Sequence, residues 1–542
     1  MGYAIHNIEL TLLVLVVLVA LLAIIARWLK TPYPVILVLG GLVLSFFHVV
    51  PHISLNPTVV FLVILPPLVF ASALNTPWRE FRYNLASISM LGLGLVGFTV
   101  AGVAIFAHFL IRGFDWRVGA VLGAVVSTTD VIAVAAIAKR VGLPHSLLQV
   151  IEGESLINDA TGLLALQFTI GMVASGTIPS FAHGVRELIW LIVGGVGVGL
   201  LVAFLVARFS SLLFRWIAGA AELQILISLA TPYCAYLLGE AIHASGVLAT
   251  VACGLYVGRS ASEVLSSRAR LDARAVWNTI DFALNGFVFI VIGLQLPDIL
   301  NGIRPDNGHG PLDWPRLIIG AAMVSGIVIA LRFLWMYPGS RIAHFIRVHL
   351  QRQNVTAPNG RELIVMSWSG MRGVITLAAA LSLPVVTNSG AHFPHREGII
   401  FLAFAVILVT LVGQGLTLPA LIRRLGISEP RAAQDEEREA RKVMLQFVIK
   451  TLRGLDTSQD ETGTQAVDQL IRIYDQRLQG LSSSSEKQTE VQLDRKYREI
   501  ARRLRMAQRR ELNRLRGEGH FREATLRRLE RELDLMELRW GD

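Results

Sequence analysis

Apolar runs of about twenty residues follow one another through the first four fifths of the chain and then stop. Gly, Pro and charged residues break them into thirteen candidate helices, near 8–28, 34–50, 58–75, 84–111, 117–138, 147–174, 185–207, 221–240, 244–258, 274–296, 315–337, 361–384 and 397–422. Runs of about twenty residues have the length an α-helix needs to cross roughly 30 Å of hydrocarbon. The pattern therefore predicts an all-α polytopic membrane protein with about thirteen transmembrane helices over 1–427. The first run, MGYAIHNIELTLLVLVVLVALLAIIARWLK, has no Lys or Arg before Arg27 and stays apolar past the length of a signal peptide's apolar region, so it reads as a retained helix.

From residue 428 to 542 the pattern is a different one: Arg- and Glu-rich, with basic and acidic residues nearly cancelling. This is a soluble cytosolic helical tail. SSSSEKQTE reads as a linker. Beyond it Leu493, Tyr497, Ile500 and Leu504, then Leu526, Leu529 and Leu533, recur at helical spacing around the turn GEG, which predicts a hairpin of two amphipathic helices. Such a hairpin packs on itself or a partner; a regulatory partner or the membrane core is what it would bind.

Composition adds little to this picture: 53% of residues are hydrophobic and 17% charged. The formal net charge of +10 is mostly a topology signal. Arg27, Lys30, Arg79, Arg82, Lys139, Arg140, Arg208 and Arg215 fall in alternate loops, with Arg423 and Arg424 after the last candidate helix, whereas the other loops carry few basic residues. The positive-inside rule then puts the N-terminus outside and the C-terminus in the cytoplasm, and no nucleic-acid partner is needed to explain the charge. Cys234 and Cys253 both lie inside candidate helices without metal-ligand spacing and read as core packing. His243, at a helix start beside Glu240, reads as a packing or interfacial residue.

Candidate chemistry begins with EGESLINDATGLL at 152–164, where Glu152, Glu154 and Asp159 run into an apolar segment. Carboxylates deep in a bilayer cost at least a few kcal/mol each. On a helix, Glu152, Ser155 and Asp159 share one face, and Glu154 and Asn158 another. Glu152 also fits a helix start favoured by the macrodipole, or the mouth of an ion funnel. Asp159, two to three turns deeper, needs a cation or a proton. Two further interruptions supply partners. Ser127, Thr128, Thr129 and Asp130 cluster in the middle of the fifth candidate helix, and Ser369, Gly370 and Gly373 surround Arg372 in the twelfth. Broken helices at corresponding positions of two halves mark an inverted-repeat secondary transporter, with its ion site where the half-helices meet.

Arg372 stays charged in the membrane and must be paired. Glu154, Asp130 and Asp159 are its candidates; Glu154 is favoured, because it shares a face with Asn158 and leaves Asp159 free to exchange ligands. Snorkelling to the cytoplasmic surface is the alternative.

EGESLINDA, the TTD at 128–130, the GMRG at 370–373, VGQGLTLPALIRRLG at 412–426, FALNGFVFIVIGLQLP and HASGVLATVACGLYVG together resemble the NHE/NhaP branch of the monovalent cation/proton antiporters, over nearly the whole chain. The tail ending LRRLERELDLMEL is similar to that of the family's long bacterial members. The resemblance implies a homodimer in a cell (inner) membrane, with an NhaA/NapA-like fold and crossed, unwound fifth and twelfth helices. Core helices would lie near 84–174 and 315–422, dimerisation helices near 8–75 and in part 185–296. It makes Asn158 and Asp159 the family's Asn-Asp pair, Asp130 part of the unwound triplet, and Glu154 and Arg372 a buried ion pair. Many relatives have Pro beside the fifth-helix Asp. Here Thr129 and Val131 stand there, which leaves open how far that helix unwinds.

Na⁺ or Li⁺, hard cations, are met by oxygen ligands, which Asp159, Asp130, Ser155 and the Thr129 hydroxyl or carbonyl can supply. A buried carboxylate can be neutralised by a proton or by a cation, and competition for one group suffices for coupled exchange. Neutral Asn158 leaves one mobile charge, which points to electroneutral one-for-one exchange; the resemblance implies the same, with elevator-like alternating access and no cofactor. K⁺/H⁺ exchange through the same site remains an alternative. A cation channel would need a continuous polar path, and a reversed H⁺ gradient would not drive Na⁺ uptake through it. An intramembrane hydrolase would leave Arg372 and Asn158 unexplained.

Overall fold

The computed structural model describes the chain apart from residues 1, 48–54, 112, 177–180, 217–220, 265–266, 304–313, 354–356, 389, 428–430, 455–460 and most of 483–542. The described residues fall into two compact units, Met1–Glu429 and Pro430–Asp542. In the first, nearly every residue is helical. Its principal helices are α1 (Gly2–Trp28), α2 (Tyr33–Leu44), α3 (Pro57–Asn75), α4 (Leu85–Leu110), α5 (Trp116–Val125), α6 (Val131–Val141), α7 (His145–Ser175) and α8 (Phe181–Trp216). They continue with α9 (Ala221–Ala241), α10 (Gly246–Val264), α11 (Ser267–Leu294), α12 (Trp314–Phe345), α13 (Gly360–Trp368), α14 (Val374–Leu381) and α15 (Arg396–Leu425). Among the described residues, seven helical stretches are long and apolar enough to cross a membrane.

Such helices satisfy their own backbone hydrogen bonds, so hydrocarbon can surround them, and packing between them relies on close approach. Where α2 crosses α11 the backbones touch. A side chain at Gly41 would strike the Ile290 carbonyl, and one at Gly293 the Val38 carbonyl. Helix α8 packs along α10 but leaves Ile189, Trp190, Val193, Leu201, Phe204 and Leu205 exposed, a face suited to lipid or to a second copy of the chain. Helix α4 carries a π-helical turn at Met90–Leu95, which frees carbonyls from the helical ladder. The Met90 carbonyl accepts from Trp335 Nε1 (3.0 Å) on α12, and that of Gly92 from Thr161 Oγ1 (2.5 Å) on α7.

At the centre two helices are interrupted. The chain between α5 and α6 is non-helical over 126–130, and that between α13 and α14 over 369–373. The breaks cross: Asp130 N–H donates to the Met371 carbonyl (2.8 Å), and the Thr128 and Thr376 hydroxyls meet at 2.9 Å. The fifth candidate helix thus breaks fully without a proline. Its local weakness is the Ser127 and Thr128 hydroxyls, and its compensation is the second break lying against it.

Three core helices are tied by one ion pair. Arg332, on α12, points both ends of its guanidinium at Glu154 on α7, with Nη1 2.5 Å from Oε1 and Nη2 2.8 Å from Oε2. Its Nε and Nη2 also donate to the Met366 carbonyl near the end of α13, at 3.2 and 3.1 Å. Both side chains are at most 1% exposed. This corrects the pairing of Glu154 with Arg372. The Glu154 carboxylate is occupied on both oxygens by a planar fork that matches it, and Arg372 is turned instead to backbone carbonyls.

In the second unit, α16 (Arg431–Arg453) and α17 (Glu461–Ser482) pack on each other, with Arg453 Nη2 3.7 Å from Asp475 Oδ2. The sequence reading called the tail helical without placing individual helices over 431–482. The linker and hairpin it placed over 482–538 lie almost entirely outside the described residues.

Replacing Glu154 by Gln strands a buried guanidinium. Breaking such a pair costs about 3–5 kcal/mol, so Glu154→Gln should unfold at markedly lower temperature in detergent. A double-mutant cycle tests the partner. Glu154 should couple strongly to Arg332 and weakly to Arg372 in thermal unfolding, and the reverse ranking would restore the Arg372 pairing.

Candidate cation site

The interrupted helices set the electrostatics of the site, because each break exposes helix ends. Asp130 is the N-cap of α6: its Oδ1 accepts from Ile132 N–H at 2.8 Å. Its carboxylate also lies against Gly373, the residue that opens α14, where any side chain would collide with it. One negative charge therefore sits at the N-terminal ends of two half-helices, where the macrodipole favours it. Arg372 does the converse. Its Nε donates to the carbonyl of Val126 (3.0 Å), which terminates α5, its Nη1 to that of Gly370 just past α13, and its backbone N–H to Thr410 Oγ1 (3.1 Å). A positive charge thus faces the C-terminal ends of the other two half-helices, and the arginine has no need of a carboxylate.

Helix α7 presents its polar residues to this crossing. The Ser155 hydroxyl donates to the Thr129 carbonyl (2.9 Å), and Asn158 Nδ2 donates to Thr129 Oγ1 (2.5 Å). The Thr129 hydroxyl in turn lies 3.4 Å from Glu154 Oε1. Glu154 faces Arg332, while Glu152, Ser155 and Asp159 line a cavity of about 650 Å³ together with Thr129 and Asp130. Three buried oxygens in this neighbourhood accept no hydrogen bond within the protein: Asp159 Oδ1, Asp130 Oδ2 and Asn158 Oδ1. Carboxylate, hydroxyl and carbonyl oxygens without competing nitrogen or sulfur donors make a set suited to a hard cation. The structure thus brings Asp159, Asp130, Ser155, Thr129, Asn158 and Glu152 together around one cavity or its wall, and separates Arg372 from Glu154.

Two residues escaped the sequence reading. Arg332 lies inside the apolar candidate helix 315–337, whose other charge, Arg316, is at its start, and a charge that deep was signal enough to nominate it as a buried partner. Asp281 lines the same cavity from α11 and falls within the candidate helix 274–296, where a carboxylate inside an apolar run was the signal.

Comparison with known proteins agrees with this architecture. The family model described as "Sodium/hydrogen exchanger, transmembrane" matches residues 14–424. An uncharacterised Na⁺/H⁺ exchanger of Mycobacterium bovis is 35% identical over 94% of this chain and 92% of its own. A sodium, potassium, lithium and rubidium/H⁺ antiporter of Bacillus pumilus is 33% identical over 82% of this chain and 66% of its own. The structure of the sodium proton antiporter MjNhaP1 from Methanocaldococcus jannaschii superposes with a TM-score of 0.60 at 18% identity, covering 77% of this chain and 99% of that one. A transmembrane family model spanning the helical unit from α1 to α15, with a close relative along almost the full length, shows that this chain belongs to the sodium/hydrogen exchanger family.

Proposed function

We propose that the protein exchanges Na⁺ or Li⁺ for H⁺, one for one, by alternating access across a cell membrane, with cation and proton competing for the Asp159 carboxylate. One observation carries this reading: Asp159 offers an oxygen without a protein partner to the cavity at the helix crossing. Glu154 is taken up by Arg332, and the charges of Asp130 and Arg372 are offset by half-helix ends. Asp159 is then the group free to trade a proton for a cation. Ser155, Thr129 and Asp130 complete the oxygen ligands. Neutral Asn158, held on Thr129, adds no second mobile charge, which favours electroneutral exchange. An empty, ionised Asp159 would be costly to carry through hydrocarbon, so the core crosses with its site filled.

Around the site we assign thirteen transmembrane helices in inverted repeats, an elevator-like movement of the core, and a homodimer in the inner membrane with its C-terminus in the cytoplasm. The two breaks in corresponding halves, the basic loops and the exposed apolar face of α8 support this assignment. K⁺/H⁺ exchange at the same site is the second reading, favoured by the Bacillus pumilus relative named for potassium and rubidium as well as sodium and lithium. Fluorescence dequenching in everted vesicles, with each chloride salt over a pH series, separates the two.

Asp159→Asn should abolish cation-dependent proton movement at every pH while the protein still inserts; exchange at the wild-type level would overturn the assignment. Truncation after residue 430 should leave exchange intact, because the residues assigned to ion and proton all lie within 129–159. The measurement is transport by the truncated protein in liposomes at matched density. Well-folded truncated protein that is inactive from about pH 5 to 9, a range spanning shifted carboxylates, would make the tail part of the transport machinery.

A further inference from the structure

We infer that Asp281 is a positioning residue for transport, a carboxylate that concentrates the cation in the cavity before Asp159 binds it. The inference rests on the proposed function and adds a residue to it. Asp281 belongs to α11, not to the helices that carry Asp130 and Asp159, yet it lines the same cavity of about 650 Å³. Arg274 and Asn278 line it too, and positions 274, 278 and 281 fall on one face of α11 at i, i+4 and i+7 spacing. The carboxylate is oriented from behind. Asn285, one turn further and fully buried, donates Nδ2 to Asp281 Oδ1 at 3.0 Å. Beside it, the Phe282 ring packs on Tyr33 of α2 with centroids 5.5 Å apart, and Tyr33 is itself part of the cavity wall.

The order of charges along α11 gives this stripe a direction. Arg274 lies nearer the start of the helix and Asp281 about 10 Å deeper, at 1.5 Å per residue. A cation in the cavity is repelled at the first and attracted at the second. In a cleft with low-dielectric walls such fixed charges raise the local concentration of counter-ions. Asp281 would share this role with Glu152, which lines the cavity from α7. Since Asp281 is outside the oxygen set at the helix crossing, its loss should weaken capture without blocking the exchange step.

The test uses the full-length protein in liposomes, with cation KM and maximal rate measured at fixed ionic strength. Asp281→Asn should raise the apparent cation KM roughly three- to ten-fold, as expected for one lost focusing charge, with a near-normal maximal rate. Asp281→Glu should restore the KM, and Arg274→Gln should lower it. Raising ionic strength with choline chloride should increase the wild-type KM more steeply than that of Asp281→Asn. A wild-type KM and salt dependence in Asp281→Asn would overturn the inference, as would a reduced maximal rate at unchanged KM, which is what a purely structural role gives. Should Asp281→Asn fail to fold, Asp281→Glu and Arg274→Gln carry the test through the opposite sign expected for Arg274. The Asp159→Asn protein tells the two failures apart. If it exchanges normally the proposed function fails, whereas if it is inactive and Asp281→Asn is normal only this inference fails.

Discussion

In hydrocarbon a backbone group without a partner costs several kcal/mol, and the centre of this protein contains two helices that stop and start again. How those free ends are satisfied governs the rest. The breaks are laid across each other, so that Asp130 N–H meets the Met371 carbonyl, and the remaining ends are met by charge. Asp130 serves the N-termini of α6 and α14, and Arg372 the C-termini of α5 and α13. Neither charge needs a side-chain counter-ion, since the half-helix dipoles provide one.

That arrangement explains why a second arginine is required. Glu154 lies one turn from Asn158 on α7, too deep to remain unpaired, and with Arg372 committed to carbonyls only another cation could neutralise it. Arg332 does so from α12 and also holds the Met366 carbonyl near the end of α13. The pair therefore joins α7, α12 and α13 directly beside the breaks. Removing either partner exposes the other to its full desolvation cost, whereas an exposed pair such as Arg453–Asp475 stabilises little.

What was legible in the sequence follows from which features are local. Apolar runs near twenty residues, the STTD interruption and the Gly-Met-Arg-Gly segment each carry their meaning within a single stretch, and a helix weakened by Ser127 and Thr128 breaks there even without a proline. The faces of α7 were legible for the same reason, because helical spacing alone separates Glu154 from Glu152, Ser155 and Asp159. Partner choice was not. Glu154 and Arg332 are 178 residues apart, and two buried arginines compete for the same acid in any reading that lacks the chain's path. The π-helical turn that frees the Met90 and Gly92 carbonyls has no sequence signature, and the contribution of Asp281 depends on α11 turning that face to the cavity. In the tail helicity was legible, but the bounds and mutual packing of α16 and α17 were not, because a charge-rich composition looks the same in a packed helix pair and in a solvated one.

The same electrostatic economy separates the fixed from the exchangeable charges. A coupled exchanger needs one site whose charge is neutralised by whatever it carries, and it needs its other charges not to follow. Arg372 is held at helix ends and Glu154 and Arg332 hold each other, while Asp130 caps two half-helices with one oxygen still unpartnered. Asp159 differs because it lines a cavity and its Oδ1 accepts no hydrogen bond within the protein. Asn158 beside it offers an oxygen without adding a charge. Under the exchange proposed for Asp159, coupling needs no relay between distant groups, since filling the site with one ion excludes the other.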